Sequence, residues 1–408
     1  MTPPPGPRRI LLADADAFFV AVARMVDPDG AGREPLLIVG GSRESRGVVC
    51  SASYETRRFG VRSAMPIARA LRLCPQAMCV PVPRRACSLK SREIREVLGR
   101  YAPVVEGASI DEWYMDLGGT EALYHGESLA ETAHRIRAAV REATGLSVSI
   151  GGGTAKVVAK LAVERAKPKP ENDATGVLVI EPGGEADFLR HITLAEIPLI
   201  GPRFQERLAK LGMRTVPDVL QYDLPALTTW LGAREAAWLY DRVRGIDSGE
   251  VEPRMEAKSI SRDETFPVDI AGDAELEREL LALVVRAAAD LRGDGLTART
   301  ITVRIRDADF TTRSAARTLD RGVISDRVIF AVARPLLRKL RGKRRFPARL
   351  LGVALSSLSA DPEADQLTLF ERSADATTET DRDRVLARAI DRVRAKFGAE
   401  GILPGGLR

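Results

Sequence analysis

Two short stretches of this chain gather the residues able to hold a charged group. RRILLADADAFF, near the start, is an apolar run that predicts a buried strand ending in Asp14 and Asp16. ASIDEWYMDL, further on, sets Asp111 and Glu112 inside a second β-prone, aromatic-containing segment. Burying several carboxylates close together costs several kcal/mol unless a cation offsets them. If the two strands are neighbours, the pattern therefore points to a hard divalent ion such as Mg²⁺. Asp14 and Asp16 share a strand face, so spacing alone nominates them as the ligand pair.

Other residues suit a phosphate. Tyr54 and Arg57 fall on one face of a helical turn, where a hydroxyl and a guanidinium can hold a triphosphate. A surface arginine beside a packed tyrosine explains the same spacing and, taken alone, is preferred. Lys167, just before Pro168, is a candidate phosphate contact or a solvated lysine. The Gly151–Gly153 run lacks the Walker spacing and reads as a tight strand-to-helix turn.

The elements that must position these groups follow from periodicity. FFVAVARMVDP reads as a short helix stopping near Pro28, EPLLIVGG and GVVCSAS as strands, and Pro66 to Leu73 as a helix. A helix over Ser88–Tyr101 leads to the strands around ASIDEWYMDLGG, and an amphipathic helix covers Ser128–Thr144. LSVSIGGG is a strand, and TAKVVAKLAVERAKP is a helix ended by Pro168. Together these make an α/β or α+β unit with a mixed or antiparallel sheet.

A second unit starts near Ala186, where LAEIPLIGPRFQERLAKLGMRTVPDVL has the outline helix, glycine-containing hairpin, helix. Such a hairpin offers backbone N–H groups and a helix N-terminus to a DNA phosphate; a plain helical turn is the alternative. Residues 251–258, VEPRMEAK, read as a linker. A third unit shows helix 273–292, strand 298–307, strand 310–319, helix 325–341 and strand 348–357. Arg299, Arg304, Arg306, Arg313 and Arg317 lie on or beside its strands, with Arg304 and Arg306 on one face. That basic face suits a nucleic-acid backbone and equally an ordinary solvated surface. From Ser359 the tail turns acidic and polar, which predicts disorder, interrupted by QLTLF and by a helix with Leu386, Ile390, Val393 and Phe397 on one face.

Composition bounds the class. A chain of 408 residues, 45% hydrophobic, is long enough for two or more domains with their own cores. A formal net charge of +6 permits a polyanionic partner. MTPPPGPRR has no apolar leader run and no later stretch spans a membrane free of charge, so a cytoplasmic protein is expected. Cys50, Cys74, Cys79 and Cys87 include no C-x₂-C pair and no neighbouring histidine, which favours buried reduced thiols over zinc. His125, His134 and His191 are scattered and read as surface or core residues.

Six blocks carry a resemblance. LLADADAFFVAV, RGVVCSASYETRRFGVRSAMPIARAL, ASIDEWYMDL, AKLAVERAKP, AKSISRDETF and ADFTTRSAARTL, in that order, resemble the Y-family translesion DNA polymerases, most closely the bacterial DNA polymerase IV branch. The similarity runs from about Arg9 to Leu358. It implies an α+β multidomain, right-hand polymerase: palm (1–17 and 84–180), small fingers (18–83), helical helix-hairpin-helix thumb (181–250), linker (251–258) and a βαββαβ-like little finger (259–358), before a tail (359–408). It further implies two Mg²⁺ ions held by Asp14, Asp111 and the carbonyl of Ala15, with Glu112 at the metal nearer the primer end. Asp16 drops to a supporting place. Tyr54, Arg57 and Lys167 become triphosphate contacts, which reverses the reading of the first two taken alone; Ser51, Phe18 and Phe19 join the nucleotide site. Phe19 matches the steric gate that excludes a ribose 2′-hydroxyl, while a core phenylalanine is the plainer reading. Gly201, Arg299, Arg304, Arg306, Arg313 and Arg317 would contact primer-template DNA. QLTLF resembles the peptide that docks on the bacterial sliding clamp, its beta subunit, through Gln366, Leu367, Leu369 and Phe370. The resemblance implies a monomer adding deoxynucleotides by two-metal transfer, with low fidelity and no proofreading. The rival is a catalytically silent, clamp-bound adaptor of a repair assembly; a palm-type nucleotide cyclase would need neither basic little finger nor clamp peptide. Two positions depart from the family: Ala23 replaces a usual Glu, and Leu199 replaces the first glycine of the thumb hairpin, where positive φ is costly for leucine.

Overall fold

The computed structural model describes residues 7–42, 46–168, 174–253, 257–360, 377–398, 401–402 and 405. Its contacts divide the chain into Met1–Met255 and Glu256–Arg408.

The first unit begins with β1 (Ile10–Ala15), α1 (Phe18–Val26), β2 (Leu37–Gly40), β3 (Val49–Ala52), α2 (Tyr54–Arg57), α3 (Ile67–Leu73) and β4 (Met78–Val80). It continues through α4 (Arg84–Leu98), β5 (Val104–Gly107), β6 (Glu112–Asp116), α5 (Leu129–Thr144), β7 (Val148–Gly153), α6 (Lys156–Ala166) and β8 (Val177–Val179). Five strands form one sheet in the order β5-β6-β1-β7-β8, with β1 antiparallel to both β6 and β7. The central strand is apolar throughout because both of its faces are covered. Leu11 and Ala13 pack with Trp113, Met115 and Ile150 against α4 and α5, while Ile10 and Leu12 meet Ala159 and Val163 of α6. Asp14, two residues beyond Leu12, is therefore aimed at the side of the sheet that α6 covers.

Gly151–Gly153 belongs to β7 itself, where a tight turn was expected. The reason is close approach: a Cβ at Gly151 would lie 2.2 Å from the Ala159 carbonyl oxygen, and one at Gly153 would lie 2.5 Å from Val158. The glycines let α6 lie directly on the strand. The expected linker is also partly docked. Val251 packs on Ile10 and Leu12, and the Glu252 amide donates to Glu106 Oε2 at 2.8 Å. Lys156 Nζ completes the clasp, donating to Glu106 Oε2 at 2.7 Å and to the Glu250 carbonyl at 2.9 Å.

The smaller sheet, in the order β3-β2-β4, carries α2 and α3. Ala23 is buried with Val20, Leu37 and Val39 where α1 meets this sheet, so an apolar joint occupies the position of the family's usual Glu. Cys74 and Cys87 are buried thiols as expected, but Cys50 is exposed.

The helices α7 (Glu185–Arg190), α8 (Pro202–Lys210), α9 (Val216–Leu220), α10 (Leu224–Leu231) and α11 (Ala233–Arg242) share a core that includes Ile197, Ile200 and Leu208 and reaches Val157, Val158 and Leu161 of α6. The hairpin before α8 keeps its shape without the first glycine. Leu199 adopts φ +73° with its side chain 82% exposed, whereas Gly201 is extended at φ −75°, ψ 169°. Buried Ile197 and Ile200 on either side hold the turn in place.

The second unit runs β9 (Ser259–Ile270), α12 (Asp273–Gly293), β10 (Leu296–Asp307), β11 (Thr312–Val323), α13 (Asp326–Lys343), β12 (Ala348–Ala360) and α14 (Asp381–Phe397). This is the βαββαβ order plus a terminal helix, with an antiparallel sheet ordered β11-β10-β12-β9. The residue pattern alone marks no strand at β9. The tail helix is no free island: Arg292 Nε pairs with Asp391 Oδ2 at 2.5 Å, and Arg327 Nη2 with Asp383 Oδ2 at 2.8 Å. Its docked side carries buried Ala387 beside these acids, with Ile390 and Val393 half-buried, while Leu386 is 56% and Phe397 66% exposed. The Gln366–Phe370 peptide lies outside the described residues. Among the described residues no helix is long and apolar enough to cross a membrane.

The thumb hairpin gives a stability prediction. Left-handed backbone costs leucine about 1–2 kcal/mol, and an exposed side chain returns little of that. Leu199→Gly should stabilise the full chain by about 0.5–1 kcal/mol in urea unfolding. A loss of stability would contradict the assignment of strain to this residue.

Candidate active site

Antiparallel pairing places Asp14 directly opposite Glu112 on β6 and opposite Ser149 on β7. One residue on, the Ala15 amide donates to the Asp111 carbonyl at 2.9 Å, which brings Asp111 to the same strand end. The two acidic stretches thus meet. Asp16 is occupied differently: Ser149 Oγ donates to its Oδ1 at 2.7 Å, consistent with a supporting role.

Two lysines, Lys160 of α6 and Lys167 just past its end, offset the acids. Lys167 Nζ donates to Asp14 Oδ2 and to Glu164 Oε1, both at 2.8 Å. Lys160 Nζ donates to Glu112 Oε1 at 2.7 Å and lies 3.7 Å from Asp14 Oδ2. Asp14 has a side chain only 8% exposed, and burial pushes its carboxyl up to about 7, against the pull of Lys167 and Lys160. Burial opposes charge on Lys167 as well, but Asp14 and Glu164 outweigh it and hold the ammonium above its ordinary range. Asp111 Oδ1 accepts from Ser109 Oγ at 2.5 Å.

These donors fit a hard divalent cation. They are carboxylate and backbone oxygens gathered at one strand end, with buried negative charge that lysines offset. Among the described residues no three acids stand close enough to form a ready cage, and Lys160 bridges Asp14 and Glu112.

Of the expected triphosphate residues, Tyr54 and Arg57 lie on α2 beside the smaller sheet. Ser53 Oγ accepts from the Thr56 amide at 3.3 Å and donates to the Pro35 carbonyl at 2.7 Å, capping α2 and tying it to the start of β2. Tyr54 and Arg57 then share the helical turn, with the guanidinium 4.9 Å from the ring centroid. Arg57 Nε donates to the Ala52 carbonyl at 2.9 Å. Burial raises the Tyr54 hydroxyl, followed by the charge of Asp16, while Arg57 and Lys167 act to lower it. One hydroxyl therefore feels groups from β1, α2 and the end of α6. Ser51 is buried within β3.

Phe18 and Phe19 separate in role. Phe18 is 2% exposed within the main core, which corrects its expected place: only its backbone, at the start of α1, is left for a nucleotide. Phe19 is half-buried and stands edge-on to Phe18 at 5.6 Å.

The arginine face also needs correction. Ile301, Val303 and Ile305 point into the core under α12 and α13, so Arg304 and Arg306 occupy the open face as expected. Asp263 Oδ2 lies 3.6 Å from Arg304 Nη1, and Arg306 Nε donates to Thr312 Oγ1 at 2.8 Å. Arg313 is opposite Ile305 on the helix side, held by fully buried Asp307 at 2.9 Å and by the Leu340 carbonyl. Arg317 is opposite Ile301, also on the helix side. Arg299 sits at the bulge and donates to the Leu319 carbonyl at 3.1 Å.

Lys160, Glu164, Ser149 and Ser109 escaped the sequence reading. A signal existed for two of them: Lys156, Lys160, Glu164 and Lys167 form one polar stripe on an otherwise apolar helix.

Residues 13–164 match the impB/mucB/samB family, residues 257–369 match that family's C-terminal domain, and residues 195–247 match the DNA polymerase-iota thumb domain. The chain is 36% identical over 398 residues to the DNA polymerase IV of Dehalococcoides mccartyi strain CBDB1, covering 98% of this chain and 97% of that one. It is 39% identical over 357 residues to the DNA polymerase IV of Methanoculleus marisnigri, covering 86% and 95%. Among solved structures, a Dbh–Dpo4 chimera of a Y-family DNA polymerase superposes with a TM-score of 0.76 at 27% identity, covering 86% of this chain and 99% of that one. An insertion ternary complex of Dbh DNA polymerase has the same identity and coverage with a TM-score of 0.60.

Proposed function

The chain belongs to the impB/mucB/samB family, the Y-family DNA polymerases, and on that premise we propose how its site works. It is a translesion DNA-directed DNA polymerase whose substrates are DNA and deoxynucleoside triphosphates. The family uses divalent metal ions. The observation that carries the reading is the meeting of Asp14, Glu112 and Asp111 across β1 and β6, with lysines offsetting the buried charge.

In this reading Asp14, Asp111 and the Ala15 carbonyl hold two Mg²⁺ ions, with Glu112 at the one nearer the primer end. When bound, the ions supply a lowered pKa at the primer 3′-hydroxyl and electrostatic support for the triphosphate and departing pyrophosphate. Asp16 stays on Ser149 and keeps the strand end in register. Tyr54, Arg57 and Lys167 hold the triphosphate, and Ser51 and the backbone of Phe18 support that end of the site. Phe19 lies under the sugar and excludes a 2′-hydroxyl. The thumb hairpin at Gly201 takes a DNA phosphate, and Arg304 and Arg306 take the backbone on the little finger's open face. Gln366, Leu367, Leu369 and Phe370 dock on the sliding clamp, and the enzyme acts as a monomer of low fidelity without proofreading. A silent adaptor would need none of the acids or their lysine partners.

Primer extension with Mg²⁺ tests the core of this reading. The unaltered chain should extend, and Asp111→Ala should lose about 10³-fold or more; inactivity of the unaltered chain would favour the adaptor. Phe19→Ala should raise ribonucleotide insertion by on the order of 10²-fold in single-nucleotide assays, since a pocket's steric rejection of a hydroxyl is of that size. An unchanged sugar preference would remove Phe19 from the gate. Deleting residues 366–370 should abolish clamp-stimulated synthesis while sparing basal insertion, and equal loss of both would argue against docking there.

A further inference from the structure

Asp14 Oδ2 is the most contested atom in the site. Its 2.8 Å partner is Lys167, and Lys160, the next cation, is 3.7 Å away and already donates to Glu112 at 2.7 Å. A divalent ion on the same oxygen would meet the Lys167 ammonium at contact distance, where like charges repel strongly beside a carboxylate only 8% exposed. Lys167 and such an ion therefore compete for Asp14. The lysine is also built to leave. Its amide is anchored to the Val163 carbonyl at 3.1 Å, but its backbone has left the helix at φ −59°, ψ 120°, so a four-carbon stem turns about a fixed root. The charges of Arg57 and Lys167 both act on the Tyr54 hydroxyl, so the lysine is near the residues assigned to the triphosphate.

We propose that Lys167 is an exchangeable counter-ion. It holds Asp14 while no divalent ion is bound, then passes to the nucleotide's triphosphate when the ion takes its place. This rests on the assignment of Asp14 as a metal ligand. Its consequence is positive coupling: the ion releases the ammonium that the nucleotide needs, and the nucleotide removes the ion's competitor. By linkage the two effects are equal in size. Lys160 donates to Glu112 and stands 3.7 Å from Asp14; it does not pass to the nucleotide and is a positioning residue.

Binding of Mn²⁺ to the full chain without DNA or nucleotide, read from the electron paramagnetic resonance of the free ion, tests this. Asp14→Asn should abolish tight binding. Lys167→Ala and Lys167→Gln should tighten it about tenfold, the equivalent of one lost charge-assisted hydrogen bond. Lys160→Ala, which frees Glu112 but leaves Lys167 on Asp14, should tighten it less, by about threefold. The same Lys167 variants should bind a non-reacting deoxynucleotide analogue with Ca²⁺ about tenfold more weakly. If Asp14→Asn loses Mn²⁺ but the Lys167 variants do not gain affinity, the exchange is wrong while the site stands. Equal tightening in Lys160→Ala would reduce the effect to general charge, and unchanged nucleotide affinity would reduce Lys167 to a static counter-ion. Both outcomes overturn the proposal. Retained Mn²⁺ affinity in Asp14→Asn would overturn the site itself.

Discussion

A carboxylate buried at the end of a central strand is the constraint around which the first unit is built. Asp14 continues a strand covered on both faces, so it cannot turn to solvent without breaking the register that pairs it with Glu112 and Ser149. Its charge must be met where it stands. The lysines that meet it come from one helix, and that helix reaches them only because β7 has no side chains in its path. Alanine at Gly151 would set a methyl group 2.2 Å from both the Ala159 carbonyl oxygen and the Val163 amide nitrogen, lifting the element that carries Lys160 and Lys167. Glycines in a strand and lysines on a helix are thus parts of one arrangement.

Much of this was legible in the sequence, for local reasons. The unbroken apolar run of β1 announces a strand covered on both sides, and the alternation around Arg304 and Arg306 assigns their face correctly. Family blocks located the acids, the tyrosine and the lysine, which composition left ambiguous. What stayed hidden depends on contacts distant in sequence. The Lys167–Asp14 pair joins residues 153 apart, and Ser149 captures Asp16 across 133. Arg313 looked like a surface cation because β11 is an edge strand whose polar residues obscure its inward face; buried Asp307 claims it. Phe18 and Phe19 are chemically alike, and only the packing of α1 shows which one is core.

The second unit meets its requirements by other means. Its open sheet face carries Arg304 and Arg306 among small hydroxyl residues such as Thr302 and Ser314. Gly352 leaves room for Asp263 to lie across the sheet toward Arg304: a Cβ there would fall 1.7 Å from the Asp263 carboxylate.

Backbone strain marks where geometry was retained against local preference. Ala17 adopts the left-handed region at φ +45°, although alanine gains nothing there that glycine would not provide more cheaply. It is the joint between β1, which ends in the acids, and α1, which begins with Phe18 and Phe19. An extended residue at that point would continue the strand and carry Phe19 away from Asp14. The turn brings the strand's carboxylates and the helix's first aromatic residues to the same end of the sheet. It is held from both sides, by the Asp16 amide on the Ser147 carbonyl at 3.0 Å and by Phe18 in the core. The surrounding packing therefore over-determines Ala17, as it does Leu199 in the thumb hairpin. In both places the fold keeps a shape that the residue itself disfavours, because buried neighbours on either side fix the turn.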